Sequence, residues 1–319
     1  MNIKLLNVVS LDDGRIIKKG ASGGGGGNTP GGGGGDTPTP DIPVIGDGKT
    51  YLYIKIAEKG RMDVPLYFSQ TVANGVTIDW GDGSAPQTLS GTGKVNTTHL
   101  YADVGEYTIS LNPADGCTLG LGRNSSSYCV MGSAGDTGRV YGNMLQAVEI
   151  GKNVPSIGSN TFYYCYSLTN VVIPNSVTII ESDAFSFCSS LASVVIPNNV
   201  IFGRYIFSSC YSLASVTISD GIKSIGDHMF SRCYSLASVV IPNSVTEIRG
   251  GAFEDCRGMA FYDFRAAKSV PTLPYASAFA SIPSDCKIVV PDSLYDEWIA
   301  ATNWSAYASK IVKASEFNA

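Results

Sequence analysis

Apolar and polar residues alternate along "YLYIKI" (Tyr51 to Ile56), "GVTIDW" (Gly75 to Trp80) and "GEYTISL" (Gly105 to Leu111). A period of two sends successive side chains to opposite faces of a strand, so the region from Lys49 to Asn112 is predicted as half-buried strands joined by glycine-rich turns. Further on the pattern changes. Leu145, Leu168, Leu191, Leu213, Leu236 and Met259 follow at steps of 23, 23, 22, 23 and 23, and Phe162, Phe185, Phe207, Phe230 and Phe253 keep the same beat. A period in the twenties predicts a solenoid, in which each unit is too small to bury its own apolar face and must stack on its neighbours.

The repeating unit reads roughly I-G-x-x-x-F-x-x-C-x-S-L-x-x-V-x-I-P-N-x-V. In "LASVVI", Leu191, Val194 and Ile196 are expected to point inward, with Ala192, Ser193 and Val195 on the outer face of a short strand. Pro197 then ends the pairing and Asn198-Asn199 favours a turn, while Phe185 and Cys188 fill the opposite wall. Five of the eight cysteines, Cys165, Cys188, Cys210, Cys233 and Cys256, share this rhythm at steps of 23, 22, 23 and 23. Equivalent positions cannot all pair with one another, and no CxxC or Cys/His cluster suggests zinc, so they are expected as buried small apolar side chains.

Two stretches of the strand region, "VTIDWGDGS" (Val76 to Ser84) and "HLYADVGEYTISL" (His99 to Leu111), resemble a PKD-type domain, a small immunoglobulin-like β-sandwich. Physically, Trp80 supplies a core plug and Gly81, Asp82 and Gly83 permit a tight turn; turn chemistry accounts for Asp82 without a metal ion. The repeats, through "SLTNVVIPNSVTII", "SLASVVIPNNV", "SLASVTISDGIKSIGDHMF" and "SLASVVIPNSVTEIRGGAF", resemble leucine-rich repeats of the BspA type. Departures occur at Ser219, where proline is expected, and after Met259, where the pattern degenerates. The expected fold is therefore mainly β: a PKD-type sandwich over 49–112, a transition and solenoid cap over 113–144, a repeat solenoid over 145–291 and a short helical C-terminal cap over 292–319. In that last segment a helix start at Asp292 or Ser293 with Asp296 in a capping box is expected, with Tyr295, Trp298, Ile299, Trp304 and Tyr307 covering the open coil.

Composition adds limits. The chain has 319 residues, a formal net charge of -5 and 15% charged residues, so it lacks the basic footprint of a nucleic-acid binder. No run of about 18 apolar residues predicts a membrane-spanning helix. Residues 21–48, "ASGGGGGNTPGGGGGDTPTPDIPVIGDG", read as a flexible tether, because glycine tracts are mobile and Thr-Pro repeats extend. A phosphate cradle would need a preceding strand, a following helix and usually a lysine, and none is apparent. The first 20 residues carry an apolar stretch, Ile3, Leu5, Leu6, Val8 and Val9, read as an anchor segment; Asp12, Asp13 and Arg15 interrupt it before a signal-peptide core could form.

No paired catalytic groups stand out. His228 beside Asp227 reads as a rim residue. The candidate binding residues are Tyr164, Tyr166, Tyr211 and Tyr234, which recur around the Cys-x-Ser-Leu step, with Ser215 and Ser238 near them. Aromatics beside small polar groups suit adaptable recognition of a sugar or a protein. Packing between coils explains the same tyrosines equally well, and both readings stand at this point. Neither a cofactor nor a metal site is expected. The two resemblances imply a displayed binding protein, since PKD-type modules commonly act as spacers and BspA-type repeats as adhesion modules. The expectation is a non-enzymatic virion-associated fibre or capsid-decoration protein of a phage. Its N-terminal segment would hold a virion structural protein, and its repeats a host-surface glycan or protein. A bacterial cell-surface adhesin is the alternative and a glycan-active enzyme a third reading; self-association is left open.

Overall fold

The computed structural model describes residues 10–12, 15–17, 45–60, 62–122, 128–133 and 141–318. The chain divides into two compact units, Met1–Gly46 and Asp47–Ala319. In the first, Ser10–Asp12 and Arg15–Ile17 form an antiparallel hairpin; the anchor candidates Ile3, Leu5, Leu6, Val8 and Val9 lie outside the described residues.

The second unit is mainly β, and a short α-helix, Tyr295–Ala300, lies near its end. Two six-stranded sheets begin it. One runs in the order Asn170–Val172, Leu145–Glu149, Thr50–Ile56, Gly105–Pro113, Val76–Asp79 and Gln87–Thr88. The other runs Ile201–Phe202, Ile179–Ile180, Ser156–Ile157, Leu119–Leu121, Asp63–Gln70 and Gly93–Leu100. Alternation in the sequence decides which side chains go inside: Leu52, Ile54 and Ile56 from the first sheet and Val64, Leu66 and Phe68 from the second join one apolar core.

Each sheet changes once from antiparallel to parallel pairing, at the seam between the first strands and the repeats. Leu145–Glu149 pairs antiparallel with Thr50–Ile56, Val148 opposite Leu52, and parallel with Asn170–Val172 on its other edge. Leu119–Leu121 likewise runs antiparallel to Asp63–Gln70 and pairs in parallel with Ser156–Ile157 at Leu121 and Ile157. On these two sides the antiparallel strands occupy the backbone donors and acceptors of the first coil. The repeats continue both sheets, so the strand region and the solenoid share hydrogen-bond ladders and a core.

The stretch that resembled a PKD-type domain has a clear local role. Asp79 accepts the Gly81 backbone N–H at 2.9 Å and Asp82 accepts that of Ser84 at 3.0 Å, which closes the turn after Trp80. Gly81 sits at φ +76°, and a Cβ there would meet the Thr108 carbonyl oxygen at 2.4 Å. His99 stacks on Trp80 at 4.7 Å, places Nε2 2.7 Å from Asp82 Oδ2 and meets the edge of Tyr101, whose hydroxyl donates to the Trp80 carbonyl. One small cluster thus locks the edges of the two sheets together.

Past the seam, every coil has three sides. Longer strands such as Ser193–Ile196 and Ser215–Ile218 pair in parallel and in register, Val194 against Val216 and Ile196 against Ile218. Two-residue strands, Ser156–Ile157, Ile179–Ile180 and Ile201–Phe202, form a second side, continued by Ser224–Ile225 with Glu247–Ile248. On the third side Phe162, Phe185, Phe207, Phe230 and Phe253 are fully buried and stack nearly parallel, with centroids 4.9, 5.3, 5.8 and 5.4 Å apart. Cys117, Cys165, Cys188, Cys210, Cys233, Cys256 and Cys286 are buried thiols. Four of them donate across the coil boundary: Cys188, Cys210, Cys233 and Cys256 reach the carbonyls of Phe162, Phe185, Phe207 and Phe230 at 3.2 to 3.3 Å. Burial pushes the Cys256 thiol up to about 12, and those of Cys210 and Cys233 upward as well, so they stay protonated as the hydrogen bond requires.

The expected degeneration after Met259 is a longer coil rather than an end to the solenoid. Phe261–Asp263 still pairs in parallel with Ser238–Val240 and Lys287–Val290, and Phe279 stacks on Phe253 at 5.6 Å. The lid follows. A single 3-10 turn, Asp292–Leu294, leads into the helix Tyr295–Ala300, and Trp298, Trp304 and Tyr307 bury themselves against Phe264 and Phe279. The expected capping box does not form: no side chain caps either helical segment, and Asp292 instead accepts the Ser315 backbone N–H at 3.0 Å and its hydroxyl. This carboxylate therefore ties the start of the lid to the 3-10 turn Ala314–Glu316 that follows the last strand.

Two outcomes follow from this packing. Phe207→Ala removes the central ring of the stack and should destabilise the protein by about 3–5 kcal/mol, read from the urea midpoint. For Asp82, burial would raise the carboxyl, but hydrogen bonds from Ser84 and His99 outweigh it and bring it to about 2. A carboxyl lowered by folding adds stability that is complete above its unfolded value and is lost as pH falls toward its folded one. Asp82→Asn should therefore lower the melting temperature at pH 7 and flatten the stability-against-pH curve between about pH 4 and 2. Solvent screening keeps the loss to about 1 kcal/mol.

Candidate functional site

The third side of the coil sets the outward-facing columns. Closing a turn in so few residues requires two left-handed positions per coil. They fall at Asn160 and Tyr164, Asp183 and Phe187, Tyr205 and Ser209, His228 and Arg232, and Gly251 and Asp255, all with φ between 52° and 63°. A non-glycine residue costs about 1–2 kcal/mol there. The backbone offsets this cost because every such coil donates regularly to the next: Phe185 N–H to Ile206 at 3.0 Å, Phe207 to Met229 at 2.9 Å, Ser209 to Ser231 at 2.8 Å and Arg232 to Glu254 at 2.8 Å. Side chains at equivalent positions consequently stand one above another.

One such column holds Tyr166, Ser189, Tyr211, Tyr234 and Arg257. Tyr211 and Tyr234 stack face to face at 5.1 Å and 9°, and the Arg257 guanidinium lies 5.3 Å over the Tyr234 ring. Asp255 aims that guanidinium, accepting from Nε at 2.7 Å and from Nη2 at 3.2 Å. Tyr211 is exposed and Tyr234 half-buried. Two coils earlier, Tyr164 and Tyr166 are half-buried and form an aromatic group with Tyr163 and Phe187, Tyr164 lying 5.4 Å from Tyr166 and 4.7 Å from Phe187. Ser189 leaves the column without a ring between the two groups. Ser215 and Ser238 open their strands, Ser215 opposite Ser193 and Ser238 opposite Phe261, with Ser215 exposed and Ser238 half-buried. The structure therefore brings Tyr211 and Tyr234 together, sets Tyr164 and Tyr166 in a second group and places the two serines in a row on the neighbouring side.

Such a strip offers π faces and edges, one cation and small hydroxyls, which suits stacking and hydrogen bonding. Among the described residues, no group of three or more His, Cys, Asp and Glu side chains is placed to hold a metal ion, and no helix is long and apolar enough to cross a membrane.

The periodicity did not single out a second feature, a groove on the side of the two-residue strands. Arg204, Asp227 and Arg249 line both of its parts, with Lys223 at one end and Tyr275 at the other. A signal was available in the repeat itself: Arg249 stands where Gly158, Gly203 and Gly226 stand, and Arg204 and Asp227 where Ser159 and Ser182 do. His228 lines this groove, with Nδ1 3.1 Å from Glu254 and its ring stacked on Tyr205 at 4.6 Å.

Residues 140–260 match the family model of the BspA type leucine rich repeat region, in six copies. This stretch is a BspA type region. It contains Tyr164, Tyr166, Tyr211, Tyr234 and Arg257 as well as Arg204 and Arg249, while Tyr275 and the lid lie beyond it. Among solved structures, the chain is similar to a leucine rich repeat protein of T. pallidum, at 30% identity over 48% of this chain and 81% of that one, with a TM-score of 0.36. A leucine-rich repeat protein from Bacteroides ovatus is 24% identical over 47% of this chain and 44% of its own, with a TM-score of 0.36. A leucine rich cell surface protein from Faecalibacterium prausnitzii is 21% identical over 51% of this chain and 64% of its own, with a TM-score of 0.31. No curated protein matches the sequence.

The left-handed columns of the BspA type region can be tested at Arg232, whose φ is 61°. Arg232→Val puts a β-branched residue where its Cβ substituents crowd the backbone, and should lower stability by about 1–2 kcal/mol. Arg232→Gly should stay within about 0.5 kcal/mol of the parent, because relief of strain offsets the added freedom of the unfolded chain. Chemical denaturation of the pair reads the difference.

Proposed function

We propose that this chain is a non-enzymatic adhesion protein whose repeat region holds an extended surface partner, a glycan or a protein, along the aromatic strip. The observation that carries the reading is the stack of Tyr211, Tyr234 and Arg257, presented partly open to solvent on a scaffold that fixes each rung. A rigid platform keeps the ordering penalty on binding small, which favours even a modest contact repeated along the coils. The antiparallel strands act in this reading as a spacer, and residues 1–20 as the point of attachment to a virion or a cell. Virion attachment through a structural protein of the particle is the preferred carrier, because a tip, a glycine-rich tether and a projecting head are the parts such a fibre needs. A cell-surface adhesin uses the same head.

The test is adhesion of the full chain to host cells and to glycans extracted from them. Tyr211→Ala combined with Tyr234→Ala should weaken adhesion about tenfold, the loss of one or two aromatic contacts, and shift the melting temperature by no more than a few degrees. Undiminished adhesion would remove the strip from the binding surface, and collapse of the fold would assign the tyrosines to packing. Release of sugar from the glycans would replace the adhesive reading with an enzymatic one. Immunogold labelling of purified particles against whole cells separates the two carriers.

A further inference from the structure

We propose that the groove on the side of the two-residue strands is a second binding site, for a sugar unit bearing a single carboxylate. It is independent of the aromatic strip and of the adhesion reading. One part of it is a cavity of about 390 Å³ and the other a trough of about 500 Å³, and the two meet at Arg204, Asp227 and Arg249. These volumes fall in the usual range for small-ligand sites.

Charge selects the ligand. Arg204, Lys223 and Arg249 face Asp227 and Glu247, which leaves one positive charge in excess on a chain whose net charge is -5. A single carboxylate matches that excess, whereas a polyanion would meet the two acids. Each guanidinium is paired with an acid of the same lining: Asp227 lies 3.4 Å from Nε of Arg204, and Glu247 lies 3.5 Å from Nε and Nη2 of Arg249. Both arginine side chains are about half or more exposed, 66% and 48%, so terminal N–H groups remain for the two-pronged grip that a carboxylate accepts.

The remaining lining suits a polyhydroxylated ring. Asp227, Glu247 and Ser277 can accept from or donate to hydroxyls, and Tyr275, 61% exposed, gives a flat face at the end of the cavity. Gly250 keeps the space open. It occupies the position of Ser159, Ser182, Arg204 and Asp227 in earlier coils, and a Cβ there would already lie 3.2 Å from the Tyr275 ring.

Calorimetric titration of the full chain with methyl galacturonoside, neutral methyl galactoside and N-acetylglutamate amide, the first and last bearing one carboxylate each, tests the assignment. The galacturonoside should bind at least about tenfold more tightly than the galactoside. Arg249→Gln and Arg204→Gln should each weaken it about fivefold or more, with melting temperatures unchanged. Tyr275→Ala should weaken the galacturonoside similarly, and the Tyr211→Ala, Tyr234→Ala double variant should leave it alone, which separates this site from the strip. Equal affinity for the two sugars, or no heat with the galacturonoside at about 1 mM, would overturn the proposal. N-acetylglutamate amide binding as tightly, insensitive to Tyr275→Ala, would also overturn it and give the groove to acidic peptides.

Discussion

The backbone hydrogen bonds that run from each turn to the next coil hold the rest of the structure in place. Phe185 gives its N–H to Ile206 and Phe207 gives its own to Met229, and this spacing stacks their rings about 5 Å apart. A donor buried without a partner would be expensive, so a coil cannot rotate or slip without breaking several such bonds at once. The left-handed residues, the thiols that reach a neighbouring carbonyl and the parallel strands all depend on that common register. Here the ladder dictates the conformation, and strain at positions such as Phe187 and Arg232 is tolerated because the neighbouring coils over-determine it.

A ladder of this kind must be finished at both ends. At one end, antiparallel strands enter the same two sheets and take up the edge of the first coil, with the Trp80, His99 and Tyr101 cluster fastening them. At the other, Trp298 and Trp304 cover the last rings at Phe264 and Phe279, and the Trp304 indole N–H donates to the Pro271 carbonyl at 2.6 Å. Strand edges are satisfied at both ends, here by Ile311–Lys313 pairing in parallel with Lys287–Val290, and the second end adds apolar cover over its ring stack.

Register also explains why the surface can carry function at little structural expense. Residues that point outward at one position are neighbours in the next coil, so a tyrosine repeated at 211 and 234 becomes a stacked pair and an arginine at 257 becomes its end cap. Departures from the repeat work the same way on another side. Arg204 and Arg249, placed where other coils have serine or glycine, converge on one groove although 45 positions separate them in sequence. Variation confined to outward positions leaves the phenylalanine, cysteine and leucine ladders untouched.

The sequence by itself determined the solenoid, because a period near 23 in leucine, phenylalanine and cysteine has one economical physical solution, and it determined the inward set Leu191, Val194 and Ile196, all buried. It also determined that Trp298 and Trp304 would cover an end. Other features needed the tertiary structure. Alternation predicts strands but says nothing about partners, so the fusion of the antiparallel strands with the first coils, through Val148 on Leu52 and Leu121 on Ile157, was invisible in the pattern. The left-handed turns were hidden because Tyr164, Phe187 and Arg232 disfavour that conformation locally and adopt it only where the next coil accepts their N–H. Asp292 does open the helical stretch, but the use of its carboxylate by Ser315, 23 residues further on, was not legible. The tyrosines could be named as a recurring type, yet which of them stack, and that two arginines share a groove, depends on distances between coils that only the folded ladder sets.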